Sequence, residues 1–260
     1  SNIKKDIFYA REKNYSSVRE KSMFSENIPV EVYDNLITAV HDNMAPLHKY
    51  FVLRKNILKL DQLHIYDMSV PLVKDIQWHV GYEDSVIKII DSLVRLGPEY
   101  TEVLRKGLIE DRWVDRYESN GKRSGAYSSG CYDSNPFILM NYQEDNINSM
   151  YTLAHEAGHS MHSFLSRKAQ PYLYADYTIF VAEVASTFNE VLLTKHLLLQ
   201  DISKSMKIYL ICREIDNLRG TLFRQTMFAE FEHLIYAAAE NDQPMTLDEF
   251  KEIYRKLLEQ

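Results

Sequence analysis

His155 and His159 stand four residues apart with Glu156 between them. Two imidazoles at that spacing reach a common point only if the backbone around them is helical, because positions four apart then lie one above the other on a single face. The surrounding residues suit that demand. Asn148 to Ala154 begins with polar capping candidates and continues with helix-compatible residues, Ser160 to Leu165 carries the pattern on, and Pro171 forbids continuation. Gly158 lies inside this helix, where glycine costs on the order of 1 kcal/mol against alanine. Its presence predicts that another segment packs closely against the backbone between the two histidines.

The run His155-Glu156-Ala157-Gly158-His159 is the H-E-x-x-H arrangement of zinc hydrolases, two metal ligands plus a carboxylate that deprotonates a water. A catalytic zinc takes a third protein ligand. Tyr177 to Glu190 reads as a second amphipathic helix, with Phe180, Val184, Phe188, Val191 and Leu192 at core-facing spacing. Glu183 lies beside that stripe, where a carboxylate is costly unless paired or coordinating, and is the favoured third ligand. Glu190 is a supporting acid two turns on. His162 shares a face with the two histidines, but three ligands at i, i+4 and i+7 would stretch over about 10 Å of the axis at 1.5 Å per residue, too far to converge on one ion.

Several blocks carry a family resemblance. Leu153 to Ser163 closely resembles the oligoendopeptidase F group of zinc peptidases, within the thimet-oligopeptidase-like clan. So do Gln170 to Ser186, Gly121 to Gly130, Arg219 to Phe231 and Leu63 to Met68, in the family's order. The resemblance implies one Zn²⁺ per chain on His155, His159 and Glu183, with Glu156 as general base. It further implies cleavage of short, unstructured peptides in an enclosed, mainly helical channel. Members of the group are longer at both ends, and their C-terminal part supplies a histidine and tyrosines to the oxyanion and substrate. No His- and Tyr-rich segment of that kind follows Glu183. Ser1-Asn2 reads as a remnant of tag removal, so the chain is expected to be a fragment. Metal binding would then outlast turnover, since loss of one oxyanion donor costs about 10²–10³ in rate. The alternative is a catalytically silent, zinc-containing peptide-binding module.

The net charge of −7 argues against a nucleic-acid partner, which needs a basic footprint. No apolar run approaches the ~18–20 residues of a membrane span, and no signal peptide is visible. Cys131 and Cys212 are too few for a disulfide framework, and a cytoplasmic setting is expected. At 260 residues the chain accommodates one catalytic region, 1–260, with possible subdomains at 1–110 (helical) and 111–260 (metal-binding). The sequence leaves oligomeric state open.

The expected fold is mainly α, a multi-helical zincin-like region with a small β-sheet beside the metal-binding helix. Apolar stripes predict helices at Val30–Val40, at Val86–Leu96, from Pro98 to about Leu108, and from Ile202 to Glu240 with an interruption at Gly220. Thr246 to Glu249 is a capping box opening a last helix through Leu258. Residues 112 to 143 break the pattern. Trp113–Glu118 and Ser124–Ser129 around Asn120-Gly121 predict a hairpin, and Pro136–Tyr142 predicts an edge strand. Residues 137–142 either align an extended peptide by backbone pairing or belong to a small structural sheet. Of the 18 tyrosines, those near the motif are read mostly as packing residues. Arg219 and Arg224 are read as structural ion pairs rather than as a peptide-carboxylate clamp.

Overall fold

A computed structural model describes residues 2–74 and 76–260; Ser1 lies outside the described residues. The chain divides into two compact units, residues 75–210 and the discontinuous pair 1–74 with 211–260.

The first of these carries the motif. Its helices are α5 (Tyr82–Ser92), α6 (Pro98–Ile109), α7 (Ile147–Ala169) and α8 (Ile179–Leu199). Helix α5 ends earlier than expected, at Ser92, and a 3-10 turn over Val94–Leu96 carries the chain to the predicted break. There Gly97 adopts φ +94°, and Pro98 occupies the first turn of α6, where its missing N–H costs nothing. The core is apolar and continuous from α5 and α6 into α7, with Tyr82, Ile89, Leu104, Met150, Leu153 and Met161 buried together. Trp113 packs flat on Gly107, where a Cβ would lie 2.3 Å from the indole. The Tyr82 hydroxyl donates to the Leu108 carbonyl, and Tyr142 hydrogen-bonds Ser85. This core runs across residue 110, joining α5 and α6 to α7.

The small sheet departs from expectation in its order. Its strands are β1 (Val114–Asp115), β2 (Tyr127–Ser129) and β3 (Phe137–Leu139), arranged β1-β3-β2. β3 is parallel to β1 and antiparallel to β2. The predicted hairpin does not form, and the predicted edge strand is the central one. The Asn120-Gly121 turn does exist, with Gly121 at φ +82° and the Lys122 N–H donating to the Ser119 carbonyl. It closes a loop, however, rather than joining paired strands. Ile138 and Met140 explain the swap, since both are about 1% exposed. The most apolar segment takes the position flanked on both sides, and its backbone is tied by Ile138 N–H to Trp113 O at 2.7 Å and Met140 N–H to Asp115 O at 3.0 Å.

The other unit is helical: α1 (Asn2–Glu12), α2 (Val18–Ser25), α3 (Val30–Asp42), α4 (Ala45–Leu58), then the later part of α9 (Lys204–Leu218), α10 (Arg224–Glu240) and α11 (Leu247–Leu258). A π-helical turn over Arg219–Phe223 produces the interruption expected at Gly220. Arg54 is almost fully buried, its Nη2 donating to the carbonyls of Asp67, Met68 and Val70 while Nη1 lies 3.6 Å from Asp216. Arg219 pairs with the same aspartate, 3.3 Å from Nε to Oδ1, which gives it the structural role read from sequence. Thr246 and Glu249 form the predicted capping box of α11.

Candidate metal centre

Asn146 caps α7, its side chain accepting from the Asn148 N–H, and the helix then runs unbroken through the motif to Ala169. α8 returns antiparallel across it. The contacts run in opposite sequence directions: Gly158 meets Ser186, His155 meets Glu190, Ala154 meets Asn189 and Tyr151 meets Thr194. Gly158 marks the closest approach, for a Cβ there would sit 2.6 Å from Ser186 Cα and 2.7 Å from the Ala185 carbonyl oxygen. No side chain larger than hydrogen fits at that crossing.

The tight crossing also decides which face of α8 turns inward. Phe180, Val184, Phe188 and Val191 were expected to be buried, but all four are exposed, Val184 to 64%; of the five only Leu192 packs partly against the core. The buried positions are Ala182, Ser186, Asn189, Leu193, Thr194 and Leu197. Where α8 crosses Gly158 the inward residues are small or polar, Ala182, Ser186 and Asn189, and bulky ones there would hold the helices apart; further along, Leu193 and Leu197 join the apolar core.

That geometry brings Glu183 to the two histidines. His155 Nε2 and His159 Nε2 are 3.1 Å apart, and Glu183 Oε2 lies 3.3 Å from the first and 3.5 Å from the second. Metal bonds of 2.0–2.2 Å in a tetrahedron place adjacent ligands roughly 3.3–3.5 Å apart. The triangle therefore has the size of three corners of such a site, and these are the residues that could hold a metal ion together. His162 stands outside it, stacked on Tyr177 with ring centroids 3.6 Å apart and planes inclined by 13°.

Each donor is steadied from behind. His155 Nδ1 lies 2.8 Å from Glu190 Oε1, and the His159 ring hydrogen-bonds the Ala182 backbone. The Ser186 hydroxyl donates to Glu183 Oε2 at 2.8 Å. The buried Asn189 amide donates to the Ala154 carbonyl at 3.1 Å and pins the two helices together. Such partners fix ring tautomer and direction. Ser186 and Asn189 escaped the sequence reading. Their signal was there, polar residues three and six positions after Glu183 on the same helix face as that carboxylate.

Charge is distributed unevenly over the group. Burial disfavours the charged form of His155, but the hydrogen bond and charge of Glu190 outweigh it, with help from Glu156 and Glu183, and its pKa is raised. Burial lowers the pKa of His159, offset in part by Glu183. Glu156 is 7% exposed, and burial pushes its carboxyl above the ordinary range against the charge of His155 and a hydrogen bond from the Ser128 backbone. Ser128 belongs to β2. Because Ile138 directs its N–H to β1, the paired register turns the backbone groups of Ser128 away from β3, towards the free edge of the sheet. The edge beside Glu156 is therefore that of β2. The Ser128 and Ser160 hydroxyls, 2.8 Å apart, hold it against α7.

An H-E-x-x-H helix completed by a glutamate from an antiparallel neighbour, set in a mainly helical unit with a small mixed sheet, defines a metallopeptidase-like architecture. The chain belongs to peptidase family M3, whose model matches residues 1–260. It is 50% identical over 255 residues to oligopeptidase PepF of Bacillus subtilis (strain 168), a match covering 98% of this chain and 38% of that protein. It is also 44% identical over 258 residues to an oligoendopeptidase F homolog of Borreliella burgdorferi, covering 99% of this chain and 44% of the relative. Among solved structures, a protein of Chlamydophila abortus superposes with a TM-score of 0.89 at 44% identity, covering 98% of this chain and 42% of that one. Oligoendopeptidase-F of Enterococcus faecium superposes with a TM-score of 0.70 at 30% identity, covering 98% and 38%. The chain thus spans less than half the length of the relatives it matches. No helix among the described residues is long and apolar enough to cross a membrane.

Proposed function

We propose that this chain carries the catalytic centre of a zinc-dependent endopeptidase acting on short, unstructured peptides. The observation that carries the reading is the donor triangle of His155, His159 and Glu183 with the buried carboxylate of Glu156 beside it. Bound there, one zinc per chain supplies an acidified water and an electrophile for the scissile carbonyl. Glu156 is the general base: buried next to the two histidines, it takes a proton from the attacking water and delivers it to the leaving amine. Glu190 holds the His155 ring so that Nε2 faces the site, and Ser186 holds the Glu183 carboxylate.

An extended peptide is aligned by backbone pairing, as the sequence suggested, but on a different strand. β3 is flanked on both sides, so the role passes from residues 137–142 to the β2 edge at Ser128. The substrates proposed are peptides; a nucleic-acid partner is disfavoured by the charge of −7. The two cysteines, Cys131 and Cys212, are free thiols, in keeping with a cytoplasmic location.

A quenched fluorogenic peptide tests the assignment. The zinc-loaded chain is expected to hydrolyse it, and Glu156→Gln to abolish hydrolysis while retaining zinc. Undiminished turnover by Glu156→Gln would remove the general base from the account. Peptide binding without any cleavage by the wild-type chain would favour the silent binding module.

A further inference from the structure

We propose that a polar cavity at the N-terminal end of α7 selects a long cationic side chain, lysine or arginine, of the peptide substrate; this rests on the peptidase reading above. The cavity measures about 470 Å³ and lies against Glu118, Ala126, Gln143, Ser149 and Thr152. Thr152 is four residues before Glu156 and three before His155, so it shares their face of α7 one turn, about 6 Å, nearer the helix start. Ala126 is two residues before Ser128, whose backbone reaches Glu156. A peptide lying along the β2 edge therefore passes the mouth of this cavity as it leaves Glu156.

The lining decides what enters. Lys122 borders the cavity, but its side chain is only 4% exposed and its ammonium is consumed by Asp115 Oδ1 at 3.0 Å and by the carbonyls of Asp115 and Tyr117. It offers no charge to a ligand. Glu118 makes no ion pair among the described residues, and its one hydrogen bond, from Gln143 Nε2, is long at 3.4 Å. The charge left over is thus a carboxylate, set among hydroxyls and amides. A guanidinium or ammonium on a flexible stem satisfies it. An acidic side chain would meet Glu118 with no counter-charge, and an apolar one would strip water from polar groups and return nothing.

Binding of short peptides to the zinc-loaded Glu156→Gln chain tests this without requiring turnover. The probes are N-acetylated, fluorescein-labelled octapeptides in which arginine, norleucine or glutamate is moved through each position of a Gly/Ser background. Acetylation removes the amino terminus as a rival cation. Anisotropy is expected to show one position where arginine binds about fivefold tighter than norleucine, the scale of a single partly screened ion pair, and tighter still than glutamate. A second substitution, Glu118→Gln in an exposed loop, is expected to abolish that preference with zinc content unchanged. An arginine preference that survives Glu118→Gln, no preference at any position, or no peptide binding at full zinc occupancy overturns the proposal. A chain that takes up no zinc overturns the peptidase reading together with it.

Discussion

Gly158 shows how one residue sets the geometry of the whole centre. Its missing side chain lets the backbone of α8 approach α7 closely enough for Glu183 to reach the two histidines. Gly158→Ala is expected to force the helices apart, with an overpacking cost of about 1–3 kcal/mol and a marked loss of zinc affinity, read by thermal unfolding and metal titration. Gly220 is the contrast, because nothing lies within 4 Å of where its Cβ would be. Gly220→Ala should therefore be neutral or stabilising, by up to about 1 kcal/mol. An equal loss of zinc affinity in both variants would show that the crossing is not what Gly158 serves. At this scale the sequence was legible where chemistry dictates spacing: His155, Glu156 and His159 are readable from a helix period alone. Ser128 was not, since its position depends on a strand order that no local pattern encodes.

Elements were predictable where their signals are local and misjudged where the partner decides. α7, the Gly97-Pro98 break and the capping box at Thr246 follow from capping and backbone rules. The orientation of α8 did not follow, because its apolar stripe was assumed to face inward, whereas the crossing at Gly158 admits only small or polar residues such as Ala182, Ser186 and Asn189. The same holds for β3, whose apolar residues claimed the sheet's centre although the Asn-Gly signal favoured a hairpin. In the connection between α7 and α8, Tyr177 stacks on His162 and its hydroxyl lies 2.8 Å from Ser163 Oγ, while the Ser166 hydroxyl donates to the Ala175 carbonyl. Tyr177→Ala is expected to loosen the start of α8 and weaken zinc binding, whereas Tyr177→Phe, which keeps the stack, changes it little; equal losses would assign the effect to the hydroxyl. In α11, hydrogen bonds from the Thr246 backbone and side chain hold the Glu249 carboxyl below the usual carboxylate range. A depressed folded pKa stabilises above the unfolded value and is lost as pH falls through the folded one. Amide protection at the start of α11 should thus decline as acid protonates this carboxyl, and Glu249→Gln should fray that turn already at neutral pH and remove the dependence. An unchanged pH profile in Glu249→Gln would contradict the capping role.

For the whole molecule, the three proposed metal donors all lie within residues 75–210, on two helices that share one core. Metal binding to the folded chain adds stability by mass action, about 4 kcal/mol at a thousandfold excess over Kd. Hydrogen exchange with and without a chelator should place the lost protection in α7 and α8, and leave α3 and α10 nearly unchanged. Equal loss across all four helices would mean that the metal acts elsewhere.

The most direct test is zinc stoichiometry and affinity, by mass spectrometry and competition titration, on the wild-type chain and on Glu183→Ala and Glu190→Gln. About one zinc per chain is expected in the wild type, with Glu183→Ala failing to hold stoichiometric metal and Glu190→Gln binding about 10–100-fold more weakly. Wild-type affinity in Glu183→Ala would contradict the three-donor centre.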